Sequence, residues 1–107
     1  MGAALDKDPT IVAALDRLWL QLGQDAFVLV DHWDSDFCAV GIASPRDAGV
    51  LVYISCHGEP PGLFGYELEL PLPHGNDFPY QVAGTGSGLP LEELAVVVAE
   101  HLKHAER

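Results

Sequence analysis

The fold of this 107-residue chain is decided by one stretch, DHWDSDFCAVGIASPRDAGVLVYISCHG, residues 31–58. Within it, two runs rich in β-branched and aromatic residues are FCAVGIA (37–43) and VLVYISCH (50–57). The polar segment between them, SPRDAG, has the composition of a tight turn. Two apolar runs joined in this way predict an antiparallel β-hairpin.

The pairing of this hairpin can be predicted residue by residue. If Ser44 opposes Val50, Cys38 falls opposite Cys56 at the far end. Because side chains alternate between the two faces of a strand, one face then carries only apolar groups and should lie against the core. The members of that face between the cysteines and the turn are Val40, Ile42, Val52 and Ile54. The opposite face carries Ala39, Gly41, Tyr53 and Ser55.

A further strand is predicted before the hairpin, in the run AFVLVDHW (26–33). The short turn that follows it predicts a register with Val28 beside Ile42 and His32 beside Cys38. Val28 then lies on the core face of the sheet. In this register His32, Cys38 and Cys56 form one row across three strands.

Two helices frame the strands. The first begins at Asp8, an N-cap followed by proline in the first turn, and Gly23 is suited to end it. The second opens at Pro90 and carries a buried stripe at helical spacing. His101 and His104 lie near its end, where the helix C-terminus favours a cation. Both side chains are expected to be solvated.

Two more strands complete the pattern, GYELEL (65–70) and a weaker YQVAG (80–84). The glycine-rich run GTGSG (84–88) lacks the spacing of a phosphate-binding motif and is interpreted as a flexible loop. The order α-β-β-β-β-β-α with short connections predicts a single α+β domain, residues 1–107. Its antiparallel sheet of about five strands should carry the N-terminal and C-terminal helices on one face.

Composition limits the classes of partner. Five basic residues against sixteen acidic ones give a net charge of −11. Nucleic acid and anionic membranes are therefore poor partners, because both attract Lys and Arg. A basic protein would be attracted and steered in, although acidity also serves solubility. No apolar run has the length of a membrane span and no secretory signal is recognised, so a soluble, cytoplasmic protein is expected.

The row of His32, Cys38 and Cys56 is a weak candidate for zinc. His and Cys are zinc ligands, but the spacing of known zinc motifs is missing and a fourth ligand is not evident. Two buried thiols that act as small apolar groups are the simpler interpretation, and no metal or cofactor is expected. A Cys38–Cys56 disulfide fits the register but is disfavoured in a reducing compartment.

No catalytic residues are predicted, and the chain is not expected to be an enzyme. Cys56 and His57 are neighbours in a predicted strand, so they should point to opposite faces and cannot act as nucleophile and base. Glu67 and Glu69 share a strand face, where solvated carboxylates are the common outcome. Acid–base chemistry by such a pair needs a cleft that shifts one pKa.

The same sheet face is instead predicted to bind protein. It combines acidic groups with aromatic and apolar ones, Leu51 among them, that are expected to be exposed, and such patches mark interfaces. The predicted binding residues are Asp31, Trp33, Phe37, Tyr53, Glu67 and Glu69. Homodimerisation through this face explains the same residues.

A family resemblance supports that interpretation. The hairpin run, GYELELPLP and LPLEELAVVVAEHL together resemble small acidic bacterial immunity-type proteins, and YELELPLP resembles a strand of suppressor-of-fused-like domains. The resemblance implies binding without catalysis, to a basic partner such as a toxin or effector. The chain also resembles type III secretion chaperones, which are acidic dimers, but GEPPGLFG stands where those proteins have a helix.

One further alternative is a small ligand-binding domain or enzyme. Its pocket would lie between the sheet and the loops 58–65 and 71–80. The polar groups gathered there would be Tyr53, His57, Glu67 and His74. A concave pocket with convergent polar groups distinguishes this alternative from a protein-binding face.

Overall fold

The computed structural model describes residues 7–30, 37–71 and 80–105. Within these ranges, two α-helices and five strands follow one another as α1 (Pro9–Leu22), β1 (Val28–Val30), β2 (Ala39–Ala43), β3 (Leu51–Ser55), β4 (Leu63–Pro71), β5 (Tyr80–Pro90) and α2 (Leu91–Leu102), with a short 3-10 helix at Lys103–Ala105. The strands form one open antiparallel sheet in the order β1-β2-β3-β4-β5. The predicted α+β class is confirmed.

Helix α1 starts and stops where the sequence predicts. The Asp8 carboxylate accepts a hydrogen bond of 2.8 Å from the Thr10 N–H, which satisfies a donor that the helix itself leaves unpaired. Gly23 follows the last turn with φ 111°, and its N–H donates to Trp19 O at 2.8 Å. The Asp8 N–H also donates to Phe37 O at 2.8 Å. The start of α1 is thereby fixed beside the start of β2.

The β2–β3 hairpin has the predicted register. Val40 pairs with Ile54 and Gly41 with Tyr53, and the Ser44 N–H donates to Val50 O at 3.0 Å at the turn. The apolar face of this hairpin forms one core cluster with the inner faces of both helices, so α1 and α2 cover the same side of the sheet. Members of that cluster include Ile11, Leu15, Leu18, Val40, Ile42, Val52, Ile54, Leu94 and Val98.

The predicted register of β1 is wrong by one residue. Val28 pairs with Ala43, and Leu29 takes the place opposite Ile42. The cause is Phe27, which is 2% exposed and stacks on Trp19 with ring centroids 4.8 Å apart. A buried aromatic ring contributes more apolar area than a valine. Its position therefore sets which residues of the run face the core.

The glycine-rich run at 84–88 is part of strand β5 rather than a loop. Gly86 lies opposite Tyr66 of β4, and a Cβ at position 86 would lie 2.5 Å from the tyrosine ring. Gly84 lies opposite Leu68 in the same way, with its Cβ position 3.5 Å from a leucine methyl group. These glycines leave room for large β4 side chains on the inner face.

Helix α2 follows β5 without a loop. Pro90 occupies the N-cap position, and Glu92 and Glu93 lie in the first turn, near the positive end of the helix dipole. Its buried side chains are Leu94, Ala95, Val98, His101 and Leu102. Within the three described ranges, neither helix is long and apolar enough to cross a membrane.

The outer face of the sheet is crossed by two rows of paired residues, one from each strand. The first row is Val28, Ala43, Leu51, Glu69 and Val82. The second row is Val30, Gly41, Tyr53, Glu67 and Thr85. The two carboxylates thus occupy the same strand in adjacent rows.

Candidate functional site

The structure describes four of the six predicted binding residues. Tyr53 and Glu67 are cross-strand partners on the outer face and are half-buried. Phe37 precedes β2 and is 52% exposed. Glu69 is buried, and so is the neighbouring Leu51, whose exposure was predicted wrongly. The other two, Asp31 and Trp33, lie outside the described residues.

Glu67 and Glu69 form a hydrogen-bonded carboxyl pair rather than two solvated groups. Burial, and then the hydrogen bond and charge of Glu67, raise the pKa of Glu69 to about 7. In the sheet register, Glu69 lies between the buried Leu51 of β3 and Val82 of β5. Such a pair holds a proton close to neutral pH. The expectation of ordinary solvated carboxylates is therefore wrong for Glu69.

His101 is buried, contrary to the prediction of a solvated helix end. It is 3% exposed, and its Nε2 lies 2.8 Å from the backbone oxygen of Glu69, to which it donates. Burial lowers the pKa of His101, and the hydrogen bond to Glu69 acts in the opposite direction. The signal in the sequence is its spacing, since His101 lies three residues after Val98 on the buried stripe.

A groove between α1 and β1 is the feature that sequence reasoning missed. It measures about 840 Å³, and its lining residues are Asp16, Trp19, Leu20, Gln24, Phe27, Val28 and Leu29. Three of the lining side chains are large, apolar and exposed: Leu20 at 79%, Val28 at 44% and Leu29 at 36%. The signal was available, because Leu20 lies off the buried stripe of α1 and the β1 run is apolar on both faces.

The floor of this groove is held rigidly. Trp19 stacks on Phe27, and its Nε1–H donates to Phe27 O at 3.3 Å. One wall is β1, the first strand in the sheet order, so its outer edge faces away from the ladder with β2. An edge strand presents backbone donors and acceptors to a further strand.

A second recess lies at the end of the β2–β3 hairpin. It measures about 350 Å³, and its lining includes Asp8, Cys38, Cys56, His57 and the loop 58–63. Strand β3 ends at Ser55, so Cys56 and His57 do not alternate between faces as predicted, and both line the recess. The Cys56 N–H donates to Cys38 O at 2.9 Å, in the predicted register.

Of the predicted row of His32, Cys38 and Cys56, the structure describes only the two cysteines. His32 lies outside the described ranges, and the β1 register that placed it beside Cys38 is wrong where β1 is described. Among the residues that the structure describes, no group of three or more His, Cys, Asp or Glu side chains could hold a metal ion.

The polar groups of the alternative ligand pocket do not converge in the described part of the chain. His57 lines the recess beside the loop 58–63. Tyr53 and Glu67 pair on the outer sheet face and are absent from the lining of that recess. His74 lies outside the described residues.

Compared with protein-family models, curated proteins and solved structures, the chain has no significant match. Function therefore has to be inferred from the surfaces themselves. Of the surfaces described, the groove between α1 and β1 combines the most exposed apolar side chains with a rigid aromatic floor.

Proposed function

We propose that the protein is a non-enzymatic protein-binding module of the immunity type, which binds a basic partner protein. The observation that carries this proposal is the α1–β1 groove. Six large apolar side chains are exposed in the described ranges, and three of them, Leu20, Val28 and Leu29, line this one groove. A contiguous exposed apolar patch on a folded domain is typical of an interaction site.

The shape of the groove favours a segment of protein as its occupant. Helix α1 supplies one apolar wall and the edge strand β1 the other, so an extended segment could pair with β1 while its side chains enter the groove. The stacked Trp19 and Phe27 form a preorganised floor, which lowers the entropic cost of binding.

Charge selects a basic partner over a second copy of the chain. Each copy carries a net charge of −11, so two copies repel one another at low ionic strength. Asp16 lines the groove, and together with the net charge of the chain it attracts Lys and Arg residues that flank an apolar segment. Electrostatic attraction of this kind raises the association rate.

The acidic sheet face is the other candidate contact surface. Tyr53 and Glu67 lie next to each other there, and Phe37 is exposed beside β2. Leu51 and Glu69, however, are buried, so they offer a partner less contact area than the groove does. We therefore assign the main contact to the groove and keep Tyr53 and Glu67 as the comparison set for its test.

The test starts from a partner captured at low salt from a lysate of the encoding organism and then purified. Its dissociation constant is measured by calorimetry with the wild-type protein and with the double variant L20S/V28S. Loss of two apolar contacts at the centre of an interface is expected to weaken binding by about tenfold or more. The matched control is Val96→Ser on α2, which removes an apolar side chain that is 61% exposed outside the groove.

Other outcomes overturn the assignment. If L20S/V28S binds like the wild type while Y53F/E67Q binds more weakly, the partner occupies the sheet face. If ultracentrifugation shows a stable dimer that L20S/V28S converts to a monomer, the groove holds a second copy of the chain. The latter result would favour the chaperone-like alternative.

A further inference from the structure

Two cysteines face each other across the end of the hairpin. The β2–β3 register, continued beyond the strand ends, makes Cys38 and Cys56 direct partners, and their backbones share the 2.9 Å hydrogen bond from Cys56 N–H to Cys38 O. In a hydrogen-bonded antiparallel pair the Cα atoms are typically about 5.5 Å apart. That value lies within the range of about 4.4–6.8 Å that a disulfide spans.

The pair is also accessible to a small reagent. Both cysteines are only partly buried, and both line the recess of about 350 Å³ beside the start of α1. The two side chains are close enough to hydrogen-bond to one another. The open recess lets one sulfur of a disulfide reagent reach the thiols, whereas a thiol sealed in the core would be inert.

We propose that Cys38 and Cys56 form a modification site that undergoes thiol–disulfide exchange with a small-molecule disulfide and closes to a cross-strand disulfide. The site is separate from the α1–β1 groove, so it does not depend on the proposed binding function. Its oxidant is a compound of the class RSSR, such as glutathione disulfide.

The thiol–disulfide exchange takes place in two steps. The Cys38 thiolate attacks one sulfur of RSSR, the S–S bond of the oxidant breaks, and RS⁻ leaves and takes up a proton. The Cys56 thiol then releases its proton and attacks the Cys38 sulfur, which expels the second RS⁻. Two protein thiols are oxidised to one disulfide, and one RSSR is reduced to two RSH.

The order of attack follows from the surroundings of Cys56. Burial, then the neighbouring Cys38 and the Asp8 carboxylate, raise the pKa of Cys56 to about 11. Cys56 therefore stays protonated at neutral pH, and the first attack falls to Cys38. Once Cys38 is in a mixed disulfide, its thiol no longer raises the pKa of Cys56.

The test treats the folded, reduced protein with glutathione disulfide, followed by acid quenching, alkylation and intact-mass spectrometry. The wild type is expected to lose two hydrogen atoms, take up no alkylating agent and give a linked Cys38–Cys56 peptide. The closed loop should raise the thermal midpoint by on the order of 10 °C. Cys56→Ser should stop at a glutathione adduct on Cys38, and Cys38→Ser should react several times more slowly.

Two results overturn the proposal. The first is a wild-type protein that accumulates stable glutathione adducts without closing the disulfide. The second is a folded protein that stays unreacted under conditions in which the urea-unfolded chain closes. Because both readouts use the wild-type chain, a variant that fails to fold does not obscure them.

Discussion

At the scale of single residues, two buried groups are linked through the backbone, because the His101 side chain contacts the backbone carbonyl of Glu69. His101 Nε2 donates to Glu69 O, while the Glu69 side chain lies on the other face of the sheet beside Glu67. Their pKa values move in opposite directions, because burial disfavours the charged form of each group. The two groups therefore affect stability in opposite ways as pH changes.

The sign for Glu69 can be worked out from its pKa. The pKa is 4.5 for the ordinary side chain and about 7 in the fold, so between these values the folded chain holds a proton that the unfolded chain releases. The free energy of unfolding therefore falls as pH rises through this window. The lowered pKa of His101 has the reverse effect, because its contribution is present above pH 6.5 and lost as pH falls. Just below pH 6.5 the two contributions to the free energy of unfolding therefore change in opposite directions.

Replacing Glu69 with glutamine should isolate the contribution of Glu69 to this pH dependence. Glutamine resembles the protonated acid, so Glu69→Gln should match the wild type near pH 4 and be more stable by about 1–2 kcal/mol near pH 8. Urea unfolding at a series of pH values measures the difference. Glu100→Gln is the matched control, since Glu100 is exposed and its ion pair with Lys103 is worth little. A constant difference between Glu69→Gln and wild type across the pH range would contradict the proton-sharing pair.

At the scale of elements, β4 and β5 fit together because glycine alternates with small polar residues in β5. Tyr66 lies over Gly86 and Leu68 over Gly84. The large side chains therefore come from β4, and the glycines of β5 leave room for them. The pairing is interrupted by register shifts at Phe64/Tyr66 and at Leu68/Glu69. Such irregularities disrupt the ladder locally and increase its twist.

Two glycine substitutions test this fit. Gly86→Ala should destabilise the protein by about 1–3 kcal/mol, because its methyl group would meet the Tyr66 ring at 2.5 Å. Gly84→Ala is the matched control, since its methyl group would make an ordinary 3.5 Å contact with Leu68. Thermal melting and urea unfolding give the comparison. Equal effects of the two substitutions would show that strand propensity, and not the tyrosine ring, sets the cost.

The elements also show how far the sequence alone could predict the fold. The β2–β3 register was predictable because the turn SPRDAG sets Ser44 opposite Val50 and the resulting pairing gives a wholly apolar face. Helix α1 was predictable from Asp8 and Gly23. The β1 register was not, because the run 26–30 is apolar on both faces and only the stacking of Phe27 on Trp19 decides between them.

The candidate site was less predictable than the fold. The run 84–88 conceals its alternation because three of its five residues are glycine, so its pattern predicts a loop. The α1–β1 groove depends on the tertiary contact between Trp19 and Phe27, which local patterns do not report. Burial of Glu69 likewise was not predictable, because the alternation of its own strand predicts a solvated carboxylate.

At the scale of the whole molecule, net charge should govern the association rate constant of binding. Apolar contact in the groove should govern the dissociation rate constant. The net charge of −11 acts over a distance and governs encounter with a basic partner, whereas the groove acts only after contact. Salt screens the first effect and leaves the second nearly unchanged.

Salt and the groove substitutions are predicted to change different rate constants. Raising the salt concentration should lower the association rate constant of the partner by about tenfold or more, with little change in dissociation. L20S/V28S should instead raise the dissociation rate constant and keep the salt dependence of association. Surface plasmon resonance with the purified partner measures both. A groove variant that alters the salt dependence of association would contradict this separation.

The strand order has a consequence for how the chain folds during synthesis. Each described strand pairs with its neighbour in sequence, so the sheet can grow in the order in which the ribosome releases it. The two helices that cover the sheet are synthesised at different times. Helix α1 precedes every described strand, whereas α2, with Leu94 and Val98, follows them all. The nascent sheet therefore keeps part of its apolar face open until α2 emerges. Premature release from the ribosome before that point would leave a chain with its strands paired and its core uncovered, which is a target for chaperones.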